Sequence, residues 1–144
     1  MEPAVPGELT SYKRLQENWK SEGGLVFRLK TGVRKGYPDW LLVHPTLPVA
    51  FAEIKGVEKA TDTVKLDTWQ ELNLSAVMTL GAPAYVAAWC RSEKMWGFLD
   101  AHEYSGPFAW NAVLVKCSKF TPASLKAANV VVTIGNQRTP RPYR

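Results

Sequence analysis

Apolar residues first recur at helical spacing, at Leu9, Tyr12, Leu15 and Trp19, before a Gly23-Gly24 pair that favours a helix C-terminus. This predicts a helix over 9–22, preceded by a flexible lead-in over 1–8 that contains Pro3, Pro6 and Gly7. A short strand over 25–29 leads into a basic, glycine-bounded loop over 30–36. Two almost wholly apolar runs follow, 39–43 and 49–55, joined by His44-Pro-Thr-Leu-Pro48. The connection is short enough for an antiparallel hairpin, and the runs suit a sheet covered on both faces. Asp62 or Thr63 is expected to cap a second helix that packs through Leu66, Trp69, Leu72 or Asn73, Ala76 or Val77, and Leu80, ending at Gly81. Strands are predicted over 84–90 and 95–99 around a polar turn, with irregular chain over 101–112 and a short strand over 113–115. Thr121-Pro122 opens a small helix through Ala128, 130–134 reads as a last strand, and 136–144 as a basic, proline-rich flexible tail. The elements make one α/β domain, a mixed central β-sheet flanked by α-helices.

Composition narrows this picture. With 144 residues and 46% apolar content, the chain has room for one sizeable core and little more. A formal net charge of +5 suits a polyanionic partner, although a solvated basic surface gives the same number. Cys90 and Cys117 lack zinc-ligand spacing and are too few for a disulfide framework, so both read as buried thiols in a reducing compartment. Nothing resembles a signal peptide or a span of ~20 apolar residues, which predicts a soluble, intracellular, cytoplasmic protein without membrane or small-molecule partners. His44 and His102 are isolated and read as structural or surface residues. Of the six tryptophans, Trp69, Trp89 and Trp96 fall in core positions, while Trp40 and Trp110 stay open between core and interface.

The hairpin carries the candidate chemistry. Asp39 opens its first strand, Glu53 nears the end of the second, and Lys55 returns to the face of Glu53, with Ile54 turned into the core. Two carboxylates and the Ile54 carbonyl oxygen form a hard-oxygen set of the kind that holds Mg²⁺, with Mn²⁺ able to substitute. Lys55 is placed to orient or deprotonate a water, or to offset transition-state charge. Taken singly, each has an ordinary reading: Asp39 as a turn acid after Pro38, Glu53 and Lys55 as an exposed strand-end ion pair. Together, in a basic protein, they favour hydrolysis of phosphodiesters. Arg28, Lys30, Arg34 and Lys35 lie just before Asp39, where they can hold flanking phosphates or simply be solvated.

Pro38-Asp39, thirteen residues, then Glu53-Ile54-Lys55 resembles the signature of the PD-(D/E)XK nuclease superfamily, and the order helix, strand, hairpin, helix, strand over about 9–99 agrees with it. Gly23-Gly-Leu-Val-Phe-Arg28, Gln70, Ala87-Ala-Trp and Met95-Trp-Gly-Phe98 look further like the archaeal-type Holliday-junction resolvases, including virus-borne ones. That resemblance implies a restriction-endonuclease-like domain over 9–135. It implies a site role for Thr31 in the loop, and for Gln70 a place facing the metal; without it, both read as ordinary polar residues. It also implies an acid on the first helix, where this chain has Tyr12; Glu8, one turn earlier on nearly the same face, is preferred to Glu17.

The function so implied is a Mg²⁺-dependent endodeoxyribonuclease that nicks four-way DNA junctions in symmetric pairs as a homodimer, in the host cytoplasm if viral. A relative acting on flaps or duplex is the alternative, and a DNA-binding module without turnover a further one.

Overall fold

The computed structural model of the chain describes residues 6–29, 40–113 and 115–135. Helix α1 (Pro6–Ser21) begins three residues before the apolar pattern does, because a proline is well suited to a helix's first turn. It ends where expected. Gly23 adopts φ +81°, and Gly24 donates to the Trp19 carbonyl at 2.8 Å; a Cβ on Gly24 would stand 2.9 Å from the Val43 carbonyl oxygen, so only glycine lets the chain turn this close to the sheet.

The central sheet has six strands: β1 (Leu25–Arg28), β2 (Trp40–His44), β3 (Leu47–Val57), β5 (Ala84–Cys90), β6 (Met95–Asp100) and β8 (Val115–Cys117), adjacent in that order. The pair β3–β5 is parallel, and every other pair is antiparallel. The hairpin is tighter than its sequence suggests, since His44 pairs with Leu47 across a turn of two residues. A separate two-stranded ladder joins β4 (Thr63–Val64) to β7 (Phe108–Ala109). Helices α2 (Thr68–Thr79), α3 (Trp110–Val113) and α4 (Pro122–Gly135) complete the mixed α/β domain.

The sheet divides the interior into two cores. On one face, Tyr12, Leu15 and Trp19 of α1 pack with Trp40, Ile54, Trp96, Phe98, Phe120 and Leu125. On the other, Leu66, Leu74, Val86, Leu99 and Trp110 pack beneath α2 and α3. Strand β5 is buried along its whole length, as its apolar run predicts. Trp40 and Trp110 both belong to the interior, as do Trp89 and Trp96. Both cysteines are free, but only Cys90 is fully buried; partial burial still pushes the Cys117 thiol up to about 11.

Three expectations are corrected. Helix α2 is capped by Asp67, not by Asp62 or Thr63; the Asp62 carboxylate instead accepts from the backbone N–H groups of Glu58 and Lys59, closing the turn after β3. Most of its predicted packing stripe is outside: Trp69 and Leu72 are each 57% exposed and Leu80 is 87% exposed, while Leu66 and Val77 do face the core and Leu74, not in the stripe, is buried. Residues 130–134 are not a strand but the second half of α4. Their β-branched run favours a strand locally, yet the turns of Ala123, Leu125, Ala127 and Ala128 before it continue the helix. The last strand is β8, two residues later than predicted. Among the described residues, no helix is long and apolar enough to cross a membrane.

Phe120 joins the α1-side core to β6, with ring centroids 6.3 Å from Trp19, 5.9 Å from Trp96 and 4.8 Å from Phe98. Phe120→Ala is therefore expected to lower the unfolding free energy by about 3–5 kcal/mol in denaturant titration. A loss under about 1 kcal/mol would place the core elsewhere.

Candidate active site

Glu53 stands on β3, opposite Val86 of the fully buried β5, in the middle of the sheet. Strand alternation sends Ile54 into the α1-side core and returns Glu53 and Lys55 to the face that carries α2. The result is a carboxylate with 0% exposure, and its Oε2 is shut off from solvent as well. Burying such a charge costs several kcal/mol unless polar groups and cations offset it.

The offset begins at the start of α2. Asp67 and Gln70 form a reciprocal capping box: the Gln70 N–H donates to Asp67 Oδ1 at 2.8 Å, and the Asp67 N–H donates to Gln70 Oε1 at 2.9 Å. This fixes the Gln70 amide with its Nε2 toward β3, where it donates to Glu53 Oε1 at 2.5 Å. Gln70 Oε1 accepts in turn from Lys55 Nζ at 3.0 Å. Turning the amide over would set an NH₂ group against an N–H and an ammonium, so only one orientation satisfies all three partners. One neutral side chain thus ties a buried carboxylate, an ammonium and a helix N-terminus together, and the positive end of the α2 dipole favours the Glu53 anion further.

Glu53, Lys55 and Gln70 are brought together, with the Ile54 backbone running between the first two. Asp39, Thr31, Lys30, Arg34 and Lys35 lie outside the described residues. Strand β2 starts at Trp40, whose register partner Ala52 is the neighbour of Glu53. Glu8 falls in the first turn of α1, its side chain also outside the description, and Tyr12 is a core residue stacked on Trp40 at 4.8 Å. Arg28 is not at Glu53: its guanidinium lies 5.0 Å from the Tyr12 ring, on the α1 side of the sheet.

Among the described residues, no three His, Cys, Asp or Glu side chains converge on a metal position. The donor chemistry nevertheless fits a hard divalent cation, since a fully buried carboxylate and backbone oxygen are what such an ion takes. Asp67 escaped the sequence reading, although Asp67-Thr-Trp-Gln70 has the capping-box spacing that would have found it.

The sequence matches no protein-family model and no curated protein. Solved structures do match. A VRR_NUC domain is 27% identical, with a TM-score of 0.50 over 62% of this chain and 90% of its own. Hjc of Archaeoglobus fulgidus, a Holliday junction resolvase from an archaeal hyperthermophile, is 19% identical, with a TM-score of 0.55 over 75% and 93%. The fold is that of the PD-(D/E)XK nucleases. Within this nuclease fold, Glu53, Ile54 and Lys55 lie on the central strand β3, and Gln70 joins them from the following helix.

Gln70→Glu would replace the amide donor with a second carboxylate beside Glu53. The pair cannot both ionise cheaply, so one carboxyl pKa rises above its unfolded value. The variant is expected to lose about 1–3 kcal/mol at pH 7 and to recover part of it on acidification through the raised pKa, where the folded state holds the extra proton. Gln70→Ala lacks the second charge and should show no such recovery. Denaturant unfolding at pH 7 and pH 5 separates them, and equal pH dependence would contradict this geometry.

Proposed function

We propose that the protein is a metal-dependent, structure-selective DNA endonuclease that hydrolyses phosphodiesters at four-way junctions by paired symmetric nicking. The observation that carries the reading is the buried Glu53 carboxylate linked through Gln70 to Lys55, in a nuclease fold. The likeness to a Holliday junction resolvase supports the junction as substrate. Net charge of +5 supports a polyanion, bound through phosphates and DNA shape more than through base identity.

Glu53, the Ile54 carbonyl and Asp39 are assigned as the Mg²⁺ ligands, with Glu8 as a further carboxylate and Thr31 closing from the loop. Trp40, the residue after Asp39 in the sequence, pairs with Ala52, the residue before Glu53. When bound, a hard divalent cation neutralises charge on the phosphate and lowers the pKa of a water. Lys55, held by the Gln70 oxygen and not by a carboxylate in that contact, keeps donors to orient the attacking water or to meet charge developing on the phosphate. Gln70 acts as a positioning residue, setting the distance between carboxylate and ammonium. Lys30, Arg34 and Lys35 are assigned to flanking phosphates. Cutting both strands symmetrically needs two such sites, which a two-fold homodimer provides.

A second reading keeps the chemistry and changes the substrate to flaps or duplex. Its ground is that the higher identity, 27% against 19% for the resolvase, is to a nuclease domain, a likeness that carries no junction of its own.

The test is cleavage of matched four-way junction, flap, linear duplex and single strand in Mg²⁺ or Mn²⁺. Paired nicks confined to the junction are expected, weakening with added salt. Asp39→Asn and Glu53→Gln should each lose at least about a hundredfold, and Gln70→Ala about ten- to a hundredfold. Preference for flaps or duplex supports the second reading. Full activity in both acid variants would overturn the site.

A further inference from the structure

Residues 58–67 join β3 to α2 and end in Asp67, so their path decides where the capping box meets Glu53. They are held by the chain that follows β6. The Asn111 N–H donates to the Ala60 carbonyl at 3.0 Å and the Trp110 N–H to the Asp62 carbonyl at 2.9 Å, while Thr63 and Val64 pair with Ala109 and Phe108. This brace is itself seated on the sheet. The Trp110 Nε1–H donates to the Ala88 carbonyl of β5 at 3.0 Å, within the core that also holds Leu66, and Ala88 is the register partner of Lys55. Brace and site are therefore built off the same pair of strands.

Tyr104 completes the brace at the end nearest the site. It follows the 3-10 turn Ala101–Glu103, and its half-buried ring meets Phe108 edge-on with centroids 6.0 Å apart. Its hydroxyl accepts from the Leu66 N–H at 3.0 Å and donates to the Glu71 side chain, since a carboxylate can only accept. Burial pushes the phenol pKa up and the Glu71 charge adds to this, so the donated proton is in place at neutral pH. Leu66 immediately precedes Asp67, and Glu71 immediately follows Gln70. One hydroxyl thus holds the capping box from both sides.

We infer that the Tyr104 hydroxyl is a positioning group for the site: by bracketing the Asp67–Gln70 box, it sets where the Gln70 amide stands against Glu53 and Lys55. The capping box cannot do this alone, because its two bonds are internal to the start of α2 and leave that start free to shift against β3. Apolar packing of Leu66 and Leu74 holds the helix down without fixing its direction or register. The hydroxyl supplies directional bonds from a segment anchored on β5. Both contacts of the site hang from one amide, so a small shift of α2 would stretch Gln70 to Glu53 and Gln70 to Lys55 together. The consequence for catalysis rests on the function proposed above; the consequence for the amide does not.

Tyr104→Phe keeps the ring and removes the hydroxyl. Nitrogen–proton correlation spectra follow the Gln70 side-chain amide, assigned by its loss in Gln70→Ala. In the wild type its two protons should be widely separated, one drawn downfield by Glu53, and in Tyr104→Phe the separation should shrink toward that of a free amide. Phe120→Ala, which loosens the opposite core, should lower the unfolding midpoint and leave the amide signal in place. On junction DNA, Tyr104→Phe should lower kcat about tenfold with KM within about twofold of the wild type. A Gln70 amide unmoved in Tyr104→Phe, or moved equally in Phe120→Ala, overturns the positioning role. Should Tyr104→Phe not fold, hydrogen exchange of the wild type decides: the Leu66 amide should exchange far more slowly than in the unfolded chain, and exchange at the unfolded rate overturns the inference. Neither spectroscopic readout needs cleavage, so an inactive wild type would count against the proposed function and not against the positioning of Gln70.

Discussion

The structure depends on keeping one carboxylate, Glu53, ionisable in the middle of a sheet whose surroundings are apolar. Its neighbours on β5 are buried hydrophobic residues, and its exposure is nil. A fold that only needed stability would have placed valine there, as it does at the register partner Val86. The carboxyl group is instead held by an amide from a helix whose own first turn is locked by the same amide. Capping energy and site geometry are therefore one interaction, and loosening the cap loosens the site.

The two-faced sheet makes this affordable. The α1-side core, rich in aromatic contacts among Trp19, Trp96, Phe98 and Phe120, secures the strands independently of the site face. On the opposite side α2 and α3 cover β5 and β6, and Leu25, Phe27 and Val49 of β1 and β3 are about half exposed.

Strand placement is legible because short apolar runs bounded by turn residues mark strands buried on both faces: β2, β3, β5 and β6 fall where these runs lie, and Glu53 and Lys55 share a face as expected. The phase of α2 was not. With apolar residues on two sides and a polar Gln70 turned inward, periodicity alone gives no preference for the buried stripe, and the predicted Trp69 is outside. Only the Asp67–Gln70 box fixes the phase. The second half of α4 failed for a related reason, because a Val-Val-Val-Thr-Ile run has strand propensity that the helix begun at Pro122 overrides. The role of Asp39 comes from its place at the start of the hairpin and those of Thr31 and Glu8 from the resemblance, and the side chains of all three lie outside the described residues.

The central proposal is that a divalent cation shares the site of the buried Glu53 carboxylate. Calorimetric titration of Mg²⁺, with thermal unfolding in parallel, tests it without DNA. The account predicts saturable binding that raises the wild-type midpoint, and loss of both effects in Glu53→Gln, although that variant is at least as stable without metal. Equal Mg²⁺ binding by Glu53→Gln, or none by the wild type, would contradict it.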